Sequence, residues 1–207
     1  MTDVINNMNI IQKKLKFKSL DLRSDTKYII LHHRAGNGDV ESIHRQHIIQ
    51  GYSGIGYHFY VRKNGEIYSG RPLKMQGAHC LGQNKFSVGV CFEGNFENEK
   101  MSAEQFEAGK AIIAYLKSLY PKAEIKRHSD LCPTACPGRF FPFDEMKKEV
   151  TGYMSKKIET ANDIIWELKN GKLKIEINDV GGAVNALEKA KKDDSPLYWL
   201  LMKIANK

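Results

Sequence analysis

The period of the apolar positions changes from one stretch of this chain to the next, and each change marks an element. Val4, Ile5, Met8, Ile11 and Leu15 recur at helical spacing, which predicts an amphipathic first helix over residues 3–15. Lys27 to His33 is an apolar run too short for a typical helix, bounded by Asp25 and by Ala35-Gly36. It reads as a buried strand that ends on His32-His33. Val40, Ile43, His47 and Ile48 share a face over 39–50 and predict a short helix, with His44 and His47 on its surface or flank. Tyr57 to Arg62 and Glu66 to Tyr68 flank Lys63-Asn64-Gly65, an Asn-Gly hairpin signal. Ser87 to Glu93 reads as another buried strand.

Ser102-Ala-Glu-Gln105 has the form of a capping box. It opens a predicted helix with Phe106, Ile112, Ile113, Leu116 and Leu119 on one stripe, stopped by Pro121. Gly109 falls on that stripe at a cost of about 1 kcal/mol relative to alanine, which suggests a close approach to the sheet. Ala123 to Arg127 is a short strand that hands His128 to a loop. Strands alternating with helices make the expected class α/β, a central mixed β-sheet flanked by helices.

After about residue 150 the composition shifts. Residues 152–158 are polar and read as a linker. In 159–207, Ile164, Ile165, Trp166 and Leu168 form one short apolar face, and Ala183, Val184, Leu187 and Ala190 form a second. Ser195-Pro196 makes an N-cap and first-turn pair for a third, with Leu197, Trp199, Leu200 and Ile204. The expected organisation is a catalytic domain over 1–151, the linker, and a small C-terminal all-α module over 159–207. Trp166 and Trp199, the two tryptophans of the chain, both fall in this module. Their stripes suit the core of a mini-bundle, and aromatic faces also suit sugar binding.

Composition narrows the function classes. The chain has 207 residues, 42% hydrophobic and 27% charged, which is ordinary globular usage. No stretch approaches the roughly 20 apolar residues of a membrane span. The N-terminus lacks a basic segment followed by an apolar one, so synthesis in a cytoplasm without a signal peptide is expected. The net charge of +8 is spread out, without a dense basic run. That pattern gives no reason to expect a nucleic-acid partner and fits general attraction to an anionic polymer such as a bacterial cell wall. The four cysteines, Cys80, Cys91, Cys132 and Cys136, are too few for a disulfide framework in a reducing compartment.

Two segments carry candidate chemistry. Tyr28 to Gly36 ends its apolar run in two histidines, and Arg127 to Gly138 holds His128, Cys132 and Cys136. Two imidazoles and a thiolate are what a catalytic zinc with one open position needs. His32 and His33 are adjacent and face opposite ways on a strand, so only one joins His128 and Cys136. Cys132 is a competing ligand, since a fourth protein ligand would close the site.

The motifs Ile-Leu-His32-His33-Arg-Ala-Gly, Gly56-Tyr57-His58-Phe59, Gly77-Ala78-His79, Ser87-Val-Gly-Val-Cys91 and His128…Pro133-Thr134-Ala135-Cys136-Pro137 run in order over residues 27–140. In them the chain resembles the zinc-dependent N-acetylmuramoyl-L-alanine amidases, which include short phage lysozyme-amidases and peptidoglycan recognition proteins. The resemblance implies one Zn2+ per chain, held by His32, His128 and Cys136. It implies Tyr57 as the catalytic tyrosine, Thr134 as a second catalytic position, and His79 near the substrate groove. Some relatives instead carry a glutamate base at the position of Cys91, and Glu93, two residues on, is the alternative base. The implied substrate is bacterial peptidoglycan, cut between N-acetylmuramic acid and L-alanine. An extra C-terminal module and no signal peptide resemble a phage or prophage endolysin released by a separate holin, with Trp166 and Trp199 contacting the wall. The alternatives are a peptidoglycan-binding protein without activity and a cytoplasmic muropeptide-recycling amidase. A thiol peptidase built on Cys136 and His128 leaves His32 and Tyr57 unexplained.

Overall fold

A computed structural model describes residues 8–155. The chain divides into two compact units, Met1–Val150 and Thr151–Lys207. The first contains strands β1 (Ile10–Ile11), β2 (Tyr28–His33), β3 (Phe59–Val61), β4 (Ile67–Ser69), β5 (Ser87–Phe92) and β6 (Glu124–Arg127), with helices α1 (Val40–Ile49) and α2 (Ala103–Leu119). From residue 143 to the end of the described residues the chain is again helical, α3. Residues 152–155 of the expected linker continue this helix, while the rest of the linker and the module over 159–207, with Trp166 and Trp199, lie outside the described residues.

The six strands form one mixed sheet in the order β1-β4-β3-β5-β2-β6. Only β3 and β4 are antiparallel; every other pair is parallel. The central strands are covered on both faces, which explains why β2 and β5 read as continuous apolar runs rather than alternating ones. Side chains still alternate between the two faces. Cys91 joins Val40, Ile43, Ile55, Tyr60 and Tyr68 in the core under α1. Its neighbour Phe92 turns the other way, toward α2. There a Cβ on Gly109 would lie 2.6 Å from the Phe92 ring and 2.9 Å from Met146 Cε, so this glycine marks the close approach its position on the helix stripe suggested.

Local signals set most boundaries. Asp39 caps α1, accepting from Ser42 N. Ser102 caps α2 by accepting from Gln105 N, but the return half of the expected capping box is not made. The Gln105 amide is buried and donates to Val61 O and Glu93 O instead, pinning the helix start to two strand ends. In the hairpin only Gly65 takes positive φ, and Gly65 N closes the turn on Arg62 O. The expected first helix is not found over the described part of its range. Ile10 and Ile11 pair parallel with Ile67 and Tyr68, because the free edge of β4 offers backbone partners that an isolated helix lacks. Val4 and Ile5 lie outside the described residues. No helix of the described residues is long and apolar enough to cross a membrane.

Candidate metal centre

The site follows from sheet register. β6 pairs parallel with β2 so that Arg127 lies beside Leu31. The next residues, His128 and His32, therefore emerge side by side at the same end of the sheet. His32 pairs across β5 with Cys91 and points to the α1 face, only 1% exposed. His33 points to the opposite face, stacks near Phe96 and accepts from Phe96 N through Nδ1. The alternation expected of a strand thus separates the two histidines.

The third donor arrives by a fold-back. His128–Asp130 form a single 3-10 turn, and Leu131 N and Cys132 N both donate to His128 O. Ser129 N donates to Cys136 O, Gly138 N to Ala135 O, and Cys136 N to Thr134 Oγ1. The Cys136–Pro137 peptide is cis, and Gly138 sits at φ +101 with no room for a Cβ against the Phe96 backbone. One donor atom from each of His32, His128 and Cys136 then lies within 4.8 Å of the others. The His32 and His128 rings are 4.5 Å apart at their centroids, and His32 Nδ1 is 3.7 Å from Cys136 Sγ. Nitrogen and sulfur on one tetrahedral zinc are about 3.6 Å apart from their bond lengths, so the donor set fits that ion.

Electrostatics suit a neutral imidazole pair. Burial, then the neighbouring His128, holds His32 well below the usual histidine range, and burial lowers His128 as well. Burial pushes the Cys136 thiol up to about 12, partly offset by the His33 N–H that donates to its sulfur. Loading a metal must therefore expel a proton from Cys136.

The surrounding residues take distinct places. His79 is buried, with Nδ1 3.0 Å from His32 Nε2, which leaves His32 Nδ1 to face Cys136. The resemblance places it near the substrate groove, and in the structure its ring lies against that of His32. The Tyr57 ring lies 5.2 Å from that of His32, and burial, then the Cys91 and Cys136 thiols, hold its hydroxyl protonated far above the usual range. Thr134 is exposed on the loop that carries Cys136. Glu93 is committed elsewhere: burial would raise its pKa, but bonds from Gly38 N, Arg62 and Lys63 N outweigh that and lower it. Cys132 does not join the His32 set. Its sulfur lies 3.0 Å from Cys80 Sγ, and these two with His128 form a second cluster.

Several supports are not legible in the sequence. His44 and His47, expected on a helix surface or flank, turn inward to accept from Ile55 N and Gly56 N through Nδ1. They fix the chain just before Tyr57. His58 is fully buried between Gly89 N and Met75 O. Alternation with Tyr57 along the chain already turns it to the opposite face to pack there.

These neutral histidines make stability pH-dependent. Burial lowers His58 to about 3 and His47 to about 4, against 6.5 in an unfolded chain. Below 6.5 the unfolded chain binds more protons, so the stability is complete above 6.5 and drains away as pH falls toward those values. For the metal-free protein, His58 alone should cost about 2 kcal/mol between about pH 7.5 and about pH 5. Urea unfolding midpoints check this, and a flat profile over that interval would refute it.

Residues 22–139 match the family described as N-acetylmuramoyl-L-alanine amidase. The endolysin of Enterobacteria phage K11 is 33% identical over 124 residues, 56% of this chain and 82% of the phage protein. Peptidoglycan-recognition protein SC2 of Drosophila simulans is 28% identical, over 56% of this chain and 71% of its own length. Among solved structures, the N-acetylmuramoyl-L-alanine amidase LysC from Clostridium intestinale URNW superimposes with a TM-score of 0.67 at 36% identity, covering 69% of this chain and 97% of that one.

Proposed function

Because the chain belongs to the N-acetylmuramoyl-L-alanine amidase family and hydrolyses the amide between N-acetylmuramic acid and L-alanine in bacterial peptidoglycan, we propose that it does so with one zinc ion held by His32, His128 and Cys136. The observation that carries this reading is the convergence of those three donors within 4.8 Å at one end of the sheet. A zinc ion there supplies Lewis-acid polarisation of the scissile amide and activation of water.

The chain's own residues do the rest. Tyr57 keeps its proton at neutral pH, so its hydroxyl donates to the oxygen on which charge builds during attack. Thr134 accepts from Cys136 N and holds the ligand loop in register, and its exposed hydroxyl is free to donate in turn. His79 keeps His32 in the tautomer whose Nδ1 faces the metal. His79→Ala should weaken zinc affinity about 10- to 100-fold, the usual cost of losing such a partner. Competition with a chelator measures it, and unchanged affinity would remove His79 from this role.

In the cell the reading is an endolysin, made in the cytoplasm, released through a holin and acting on the wall, with residues 159–207 as the targeting module. Removing 158–207 should weaken binding to purified walls while sparing hydrolysis of a soluble muropeptide. Equal wall binding by the truncated chain would end the targeting idea. The reaction itself is tested by mass analysis of digested peptidoglycan. New N-terminal alanine without new reducing sugar ends is the expected product pattern, and activity that survives EDTA would overturn the zinc assignment.

A further inference from the structure

The geometry points to Cys80 and Cys132 as an oxidative cross-linking site, a disulfide that ties the loop after β4 to the loop bearing His128 and Cys136. The sulfurs are 3.0 Å apart although the residues are 52 positions apart in sequence. A disulfide bond is about 2.05 Å long, so closure needs an approach of only about 1 Å.

Both backbones are held in place. His79 N and Cys80 N donate to Asn84 Oδ1, and Gln83 N donates to Cys80 O. On the other side, Cys132 N donates to His128 O. The sulfur contact is therefore fixed by two braced loops, and the proposed reaction uses neither residue as a zinc ligand.

Access sets the order of events. Cys80 is 1% exposed, and burial, then Cys132, pushes its thiol up to about 12. Cys132 is partly exposed and meets an oxidant first. Its thiolate attacks a low-molecular-weight disulfide such as oxidised glutathione, whose S–S bond breaks and releases one thiol. Cys80 then loses its proton to water and attacks the Cys132 sulfur, releasing the second thiol. Two protein thiols are oxidised and one small disulfide is reduced.

Closure has a consequence for the metal centre. While reduced, Cys80 and Cys132 form with His128 a second set of donor atoms that lie within 4.8 Å of one another. Oxidation withdraws both sulfurs from competition for a soft metal and leaves Cys136 the one thiol of the ligand loop. It also fastens that loop to the segment that carries His79.

The test exposes the zinc-loaded full chain to oxidised glutathione, alkylates it in denaturant and maps the peptides by mass spectrometry. A Cys80–Cys132 cross-link is expected, with Cys91 and Cys136 alkylated and the thermal midpoint raised on the order of 10 °C. Cys80→Ser should carry a glutathione adduct on Cys132, and Cys132→Ser should leave Cys80 alkylated; neither should gain thermal stability on oxidation. Full alkylation of Cys80 and Cys132 in the oxidised wild type, or a cross-link to Cys136 instead, overturns the proposal. The readout is covalent, so it succeeds or fails independently of wall hydrolysis.

Discussion

Replacing Cys136 by serine is expected to abolish both zinc retention and wall hydrolysis. A hydroxyl keeps its proton and its hard oxygen is a far weaker ligand for zinc than a thiolate. The proposed site has three protein donors, so one loss leaves only the two imidazoles of His32 and His128. The fall in affinity should exceed the roughly 100-fold that losing a mere supporting partner costs. The loop should still form, because Ser129 N bonds to the Cys136 carbonyl and Thr134 to its amide, neither involving the sulfur. Metal content and lysis are therefore expected to vanish while the fold persists. His33→Ala is the control, since His33 faces Phe96 on the other side of the strand and should leave zinc in place. A Cys136→Ser protein that retains one zinc per chain would reject the ligand assignment.

Tyr57→Phe is expected to separate chemistry from metal binding. Phenylalanine keeps the ring beside His32 and loses only the hydroxyl. Burial, then the neighbouring Cys91 and Cys136 thiols, keep that hydroxyl protonated. A donor aimed at developing oxyanion charge is worth about 10²- to 10³-fold in kcat. The variant should lose that much in kcat, with KM and zinc stoichiometry held. If kcat falls by only a few-fold, the hydroxyl is not the oxyanion donor. In that case the exposed Thr134 hydroxyl becomes the better candidate.

Much of this was legible in the chain. The buried strands announced themselves as apolar runs, and both helices with capped starts fell within a residue or two of their predicted ends, because an N-cap is a local interaction. Gly109 was legible too, since a glycine on an apolar stripe needs a tertiary reason. What failed was non-local. Ile11 falls on a helical stripe with Met8 and Leu15, but β4, far along the chain, claims Ile10 and Ile11 as a paired strand. Gln105 fits the capping-box pattern, yet its Nε2 is turned to donate to two carbonyls at strand ends, and its Oε1 makes no bond back to Ser102 N. His44 and His47 looked like flank residues because nothing nearby in sequence shows that the 54–57 segment returns across them.

The same division runs through the site. Sequence alone determined the inventory: two histidines ending a buried run, and a His…Cys loop punctuated by prolines and a glycine. Strand alternation also dictated that only one of His32 and His33 could serve, though not which one. The resemblance names His32, and tertiary structure brings His128 beside that histidine because β6 pairs in register with β2. Tertiary structure also sent Cys136 to His32 and Cys132 to Cys80, a sorting that spacing within one short loop does not encode. The physical reason is range. Periodicity, caps and turn chemistry act over a few residues and are written locally, whereas which donor atoms meet depends on strand order and loop return, which the whole chain settles together.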